Sequence, residues 1–160
     1  NYSYCQDNSL SWFDWSAVAT EAALLRFVTG LIDLIQSTEI FKQEQLLEVT
    51  YGSQSPHIVW HGVRLGEPDW DDNSHSLAFT LRHPQGEEHL YVAFNAYWQA
   101  LSFELPPLDS GENWHRLVDT ALSAPEDFWP LAIAPMVEGE RYRLGARAAI
   151  VLMVKTVVPV

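Results

Sequence analysis

The chain has 160 residues, of which 48% are hydrophobic and 19% charged, with a formal net charge of −12 and a pI near 4.7. This composition is that of a folded domain with an apolar core, and it excludes a disordered chain. The excess of carboxylates repels phosphate backbones and anionic lipids, so we expect neither a nucleic-acid partner nor a membrane partner. Neutral ligands such as sugars are not excluded.

The chain contains one cysteine, Cys5, which cannot form an internal disulfide. We therefore expect a reducing compartment, the cytoplasm. The sequence shows no secretory signal pattern, and no apolar run approaches the roughly 18 residues of a membrane-spanning helix. Because the first residue is Asn1 rather than Met, we expect the chain to be part of a longer protein.

The opening stretch, residues 1–15, combines polar side chains with aromatic ones. The segment "YCQDN" (4–8) is followed by Trp12 and Trp15. Sugar rings stack their C–H faces on aromatic planes, while amides and carboxylates bind their hydroxyls. Core packing explains Trp12 equally well, because tryptophan is highly buried on average.

Residues 17–36 form the only long helical pattern, with Asp14 or Ser16 available as the N-cap. Apolar side chains cover more than one side of this helix. Burying eight large apolar side chains is worth roughly 1.5–3 kcal/mol each, so the helix must dock on a neighbour.

After about residue 50 the pattern changes to short segments rich in β-branched and aromatic residues, separated by Gly, Pro, Asp and Asn clusters. We interpret this part as five to seven strands of an antiparallel β-sandwich, which makes the chain mostly β. The predicted domains are a helix-bearing leader, residues 1–50, and an all-β domain, residues 51–160. The strand-like segments are 57–65, 75–83, 89–97, 100–106, 115–122 and 147–158.

Three patterns could carry chemistry, but each is better explained structurally. On a strand, His57 and His61 lie roughly 13 Å apart, too far to share a zinc ion. The acidic segment 67–73 lacks the glycine and final glutamate of a calcium loop, so we expect a turn. Nothing in the sequence places a histidine beside Cys5 to activate it. No carboxylate pair for glycoside hydrolysis stands out, and we expect no metal or cofactor.

Three tryptophans, Trp60, Trp98 and Trp114, lie in or beside strand-like runs. Core packing is the favoured interpretation for all three.

The opening segment "YCQDNSLSWFDW" (4–15) resembles the signature that follows the last catalytic carboxylate in isoamylase-type glycogen debranching enzymes. These enzymes belong to the α-amylase superfamily, glycoside hydrolase family 13. Segment 24–35 resembles the family's closing helix, and 58–70 resembles the start of its C-terminal domain. Further similarity to the family's sandwich strands lies in 90–106, 114–122 and 142–153. Ser9 and Ala148 depart from the family pattern at peripheral positions.

The resemblance implies that residues 1–50 are the last loop and closing helix of a (β/α)₈ barrel, followed by a C-terminal sandwich. It implies a parent enzyme that hydrolyses α-1,6 linkages of α-glucans with retention, through a carboxylate nucleophile. The family's catalytic carboxylates lie on earlier barrel strands, so we expect no catalytic residue here and no activity of this chain alone. The residues expected to help shape the substrate cleft are Gln6, Asp7, Asn8 and Trp12.

The expected partners are an α-glucan and the catalytic barrel of the same polypeptide. A second hypothesis is a carbohydrate-binding module that holds glycogen through Trp70 or Trp98. A third is an independent protein that self-associates or binds a protein partner through the apolar helix 17–36.

Overall fold

The computed structural model describes residues 7–9, 11–42, 57–83 and 88–156. Two α-helices come first, α1 (Ala17–Thr20) and α2 (Ala22–Ser37), and a 3₁₀ turn at Glu39–Lys42 follows them. A second 3₁₀ turn spans Leu131–Ile133. The strands are β1 (His57–His61), β2 (Ser76–Arg82), β3 (His89–Asn95), β4 (Leu101–Glu104), β5 (Glu112–Asp119), β6 (Arg141–Leu144) and β7 (Ala148–Thr156).

Five strands form an antiparallel sheet in the order β1-β2-β3-β7-β5, and β4 pairs with β6 in a second, two-stranded sheet. The predicted antiparallel sandwich is confirmed, and each of the six strand-like segments overlaps a strand. β6 was not among those segments. Its sequence Arg-Tyr-Arg-Leu alternates exposed arginines with more buried side chains, so it offers no apolar run to recognise.

Side chains of the five-stranded sheet alternate between two apolar clusters, as the two-residue period of a strand requires. The first cluster lies against the β4–β6 sheet, and along β7 it takes Ala148, Ile150, Leu152 and Val154. The second cluster lies on the opposite face and takes Met153 together with part of α2. The large sheet is therefore apolar on both faces, and each face has its own cover.

Helix α2 divides its apolar residues into two stripes. The inner stripe, Phe27, Leu31 and Leu34, packs on the second cluster. The outer stripe is 43–54% exposed and consists of Leu25, Val28, Ile32 and Ile35. At about 100° per residue, the centres of the two stripes lie roughly 110° apart. The predicted helix is thus confirmed, with an irregular residue at Glu21, and it docks on the sheet by one of its apolar sides.

Polar contacts fasten both ends of α2 to the sheet domain. The Arg26 guanidinium pairs with the Asp127 carboxylate near the start of the helix. Beyond its C-terminus, the backbone N–H groups of Glu39 and Ile40 each donate 2.8 Å hydrogen bonds to the Glu88 carboxylate, just before β3. The predicted division at residue 50 lies outside the described residues.

Gly30 lies where α2 crosses Phe128, and this contact predicts whether Gly30→Ala raises or lowers the stability of the protein. A Cβ at Gly30 would lie 2.5 Å from Cε1 of Phe128. Gly→Ala normally stabilises a helix interior by about 1 kcal/mol. Overpacking a well-filled contact costs about 1–3 kcal/mol, which exceeds that gain. We therefore expect Gly30→Ala to lower the free energy of unfolding in urea denaturation.

The matched control is Gly30→Ala in a Phe128→Leu background. There the ring is absent, so the same substitution should stabilise the protein through helix propensity. Destabilisation of similar size in both backgrounds would contradict the proposed role of the ring.

The imidazole of His89 packs edge-on against Trp114, with ring centroids 4.8 Å apart. Burial, helped by the positive charge of Arg82, lowers the pKa of His89 from 6.5 to about 4. Burial also lowers the pKa of His61. The native state therefore favours neutral imidazoles, whereas the unfolded chain binds protons at a higher pH.

We expect the free energy of unfolding to fall as the pH is lowered from 6.5 towards 4, because unfolding then takes up protons. One imidazole contributes at most about 1.4 kcal/mol per pH unit to this slope. His89→Gln should flatten the slope measured by urea denaturation with tryptophan fluorescence. An unchanged slope in that variant would refute the assignment to His89.

Candidate functional site

Three of the four predicted substrate-binding residues lie together in one turn before α1. The indole Nε1 of Trp12 donates a 2.6 Å hydrogen bond to Oδ1 of Asp7. The carbonyl oxygen of Asn8 accepts hydrogen bonds from the backbone N–H groups of Ser11 (2.9 Å) and Trp12 (3.0 Å). The fourth residue, Gln6, lies outside the described residues, as does Cys5.

The opening turn presents its aromatic side chains to solvent. Trp12 is 64% exposed, and the neighbouring Phe13 and Trp15 are exposed as well, with their rings edge to face at 5.0 Å. The Asp7 carboxylate keeps a second oxygen that can accept a hydroxyl hydrogen bond. An exposed indole fixed by a carboxylate is suited to stacking on a sugar ring, but the substrate-binding role of these residues stays a prediction.

The histidine and acidic patterns have structural partners. His57 and His61 lie on strand β1, as predicted. His61 is buried, and its Nδ1 accepts a hydrogen bond from the N–H of Gly66 at 2.9 Å. In the predicted turn, hydrogen bonds from Asn73 lower the pKa of the Asp71 carboxyl. Within the described ranges, no three His, Cys, Asp or Glu side chains are grouped to hold a metal ion.

Asp119, which is the most buried carboxylate among the described residues, belongs to a structural network. Its Oδ2 accepts a 2.6 Å hydrogen bond from the Tyr142 hydroxyl, and its Oδ1 accepts one from the N–H of Ala121 at 2.9 Å. Burial and the Asp119 bond raise the pKa of Tyr142 to about 12. This arrangement joins β5 to β6 across the sandwich.

The prediction that these tryptophans pack in the hydrophobic core is correct for Trp114 and wrong for Trp98. Trp114 is 4% exposed and donates its Nε1 hydrogen to the carbonyl of Pro106 at 3.0 Å. Trp60 is half-buried between Phe79 and Trp70. Trp98 is 60% exposed, because β3 ends at Asn95 and Trp98 lies in the following turn. Asparagine is disfavoured in strands, so Asn95 could have indicated from the sequence that β3 ends before Trp98.

The turn after β3 brings three rings together. The Tyr97 and Trp98 rings lie 3.9 Å apart at 32°, and the His75 ring lies 6.0 Å from Tyr97 and 6.2 Å from Trp98.

None of the helices in the described ranges is long and apolar enough to cross a membrane.

Comparison with known proteins identifies the chain's relatives. The family model for the C-terminal part of isoamylases 1–3 matches residues 59–151, more than half of the chain. Chloroplastic isoamylase 1 of rice (Oryza sativa subsp. japonica) is 33% identical over 128 residues, which is 80% of this chain and 15% of the relative. Chloroplastic isoamylase 3 of rice is 27% identical over 157 residues, 97% of this chain and 18% of the relative.

A bacterial relative extends the similarity beyond plants. The glycogen operon protein GlgX homologue of Mycobacterium tuberculosis is 27% identical over 138 residues, 75% of this chain and 19% of the relative. The chain thus spans between 15% and 19% of the length of these three relatives. With a sandwich fold, a family match over more than half its residues and these relatives, the chain belongs to the isoamylase family and corresponds to its C-terminal region.

Proposed function

We propose that this chain is the C-terminal portion of a debranching enzyme that hydrolyses α-1,6 branch linkages of glycogen or related α-glucans. In that enzyme the sandwich braces the catalytic barrel, and the 160-residue chain has no hydrolytic activity alone. The family match to an isoamylase C-terminal region and the small share of each relative that it spans support this proposal.

The observation that carries the proposal is the outer stripe of α2. Four large apolar side chains at helical spacing, Leu25, Val28, Ile32 and Ile35, remain about half exposed after the helix has docked on the sheet. Burying the remaining surface would gain on the order of 3–6 kcal/mol. The proposed occupant is the catalytic barrel of the same polypeptide, for which α2 serves as the closing helix.

The opening turn fits the same arrangement. In barrel enzymes the substrate cleft is built from loops at the carboxyl ends of the strands. A loop directly before the closing helix belongs to that set, and the Asp7–Trp12 pair lies in such a loop. We therefore assign Asp7, Asn8, Trp12 and the preceding Gln6 to substrate binding.

The activity test uses the full-length protein that contains this chain. We expect it to release linear chains from glycogen, and we expect the 160-residue chain alone to release none. Trp12→Ala and Asp7→Ala should each lower kcat/KM by roughly tenfold or more, the loss typical of a residue that orients bound substrate. Reducing-end release from glycogen measures all of these values.

Two further variants serve as controls, one within the Asp7–Trp12 pair and one on the sandwich. Trp12→Phe keeps an aromatic face but removes the Nε1 donor to Asp7, so it should retain more activity than Trp12→Ala. Trp70→Ala, on the sandwich, should leave kcat/KM on short branched oligosaccharides unchanged. Wild-type kinetics in Trp12→Ala and Asp7→Ala would remove the opening turn from the cleft.

The bracing role predicts that one substitution destabilises the full-length enzyme much more than the isolated chain. In the isolated chain Ile32 is only 48% exposed, so Ile32→Gln should lower the free energy of unfolding by about 1 kcal/mol. In the full-length enzyme the same side chain would be buried against the barrel, and the melting temperature should fall by several degrees. Calorimetry of both proteins measures the difference.

The matched control is Gln36→Ala, on the polar side of the same helix, which should have little effect in either context. A concentration-dependent dimer of the full-length enzyme that Ile32→Gln dissociates would instead show that a second copy covers the stripe. Equal small effects of Ile32→Gln in both contexts would refute the bracing role.

A further inference from the structure

We propose that Tyr97, Trp98 and His75 form a second α-glucan-binding site on the sandwich, separate from the opening turn. The choice of an α-glucan as ligand rests on the proposed function. The site would hold a neutral chain of glucose units away from the bond that is cleaved. It would thereby raise the local concentration of glycogen at the enzyme.

The aromatic surface has the form that a pyranose ring requires. The Tyr97 and Trp98 rings lie 3.9 Å apart with their planes tilted by 32°, and 60% of the Trp98 side chain remains exposed. His75 closes one side, with its ring nearly perpendicular to both aromatic planes, at 73° and 78°. An exposed aromatic face bordered by an imidazole combines a surface for C–H stacking with a hydroxyl partner.

The turn that carries these rings is fixed by a buried asparagine. Asn95 is almost fully buried, and its Nδ2 donates to the carbonyl oxygens of Gln99 (2.9 Å) and Gly145 (2.8 Å). Its Oδ1 accepts a hydrogen bond from the N–H of Tyr97 at 3.0 Å. The backbone N–H of Arg147 donates to the carbonyl of Tyr97 at 3.1 Å. A turn held from both sides loses little conformational entropy when a ligand binds, which favours affinity.

Exposed polar residues in and beside the turn suit a neutral, hydroxyl-rich ligand. Gln99 follows Trp98 in the chain, Arg147 contacts the turn through its backbone N–H, and both are exposed, as is His75. Their side chains are an amide, a guanidinium and an imidazole. Together they offer both donors and acceptors. The formal net charge of −12 disfavours anionic ligands such as nucleic acid, and it does not act against a neutral glucan.

Trp70 is the other exposed indole of the sandwich, and it is less suited to this role. It is 64% exposed, but its ring packs edge to face on the half-buried Trp60 at 5.5 Å, whereas Trp98 lies 3.9 Å from Tyr97. It lies in an acidic turn that also contains Asp69 and Asp71. Its similar exposure makes it a matched control for Trp98.

The test is affinity electrophoresis of the 160-residue chain in native gels that contain increasing concentrations of glycogen. We expect glycogen to retard the wild-type chain and the Trp70→Ala variant equally, and maltoheptaose to abolish the retardation. Trp98→Ala should weaken the apparent affinity by roughly tenfold, the loss expected of a central tryptophan anchor. Near-UV circular dichroism identifies any variant that has not folded, and Trp98→Phe then provides a milder substitution.

Retardation of Trp98→Ala equal to that of the wild type would overturn the proposal, and so would no retardation of the wild type. Full-length enzyme provides a second readout, because Trp98→Ala should raise KM for glycogen and leave kinetics on a short branched oligosaccharide unchanged. Unchanged KM for glycogen in Trp98→Ala would overturn the proposal that these rings hold glycogen at the enzyme. Electrophoresis needs no catalysis, so a full-length protein inactive on α-1,6 linkages would refute the proposed function separately.

Discussion

The structure depends on one constraint: the five-stranded sheet is apolar on both faces. Strand β7 shows this directly, because Ile150, Leu152 and Val154 point to one cluster while Val151 and Met153 point to the other. A sheet with two apolar faces needs two covers. The β4–β6 sheet covers one face, and helix α2, with the segments around Phe128 and Leu131, covers the other.

Helix α2 is apolar over so much of its circumference because it carries two stripes. Its inner stripe packs on the sheet, and its outer stripe remains about half exposed and can pack against another domain. A helix that served the sandwich alone would carry polar residues at Val28 and Ile32. In the proposed enzyme, α2 is a layer shared by the barrel and the sandwich. The ion pair with Asp127 and the Glu88 carboxylate hold this layer on the sandwich side.

Local patterns predicted most of the fold. The helix 17–36 and the six strand-like segments follow from residue periodicity, which is strongest where side chains are buried. β6 could not be found this way, because half of its residues are exposed arginines. The contacts from Glu88 to the 3₁₀ turn and from Arg26 to Asp127 join residues far apart in sequence, and no spacing rule reveals them.

The candidate sites show the same limit. Asp7, Asn8 and Trp12 are near one another in sequence, but the hydrogen bond from Trp12 Nε1 to Asp7 is visible only in the structure. The exposed position of Trp98 depends on where β3 ends, which Asn95 decides through its bonds to Gln99 and Gly145. Side-chain hydrogen bonds of this kind leave no periodic pattern in a single sequence, whether they join near or distant residues.

The packing of α2 on the second cluster also decides whether the strands could be moved to another protein without this helix. A chimaera that joined residues 51–160 to a foreign barrel would leave the second cluster without Phe27, Leu31, Leu34 and Ile40. The recipient would have to supply a helix with the same inner stripe and a glycine opposite Phe128. A segment that keeps this cluster intact when it is moved to another protein must therefore begin before α2 and include the helix together with the strands.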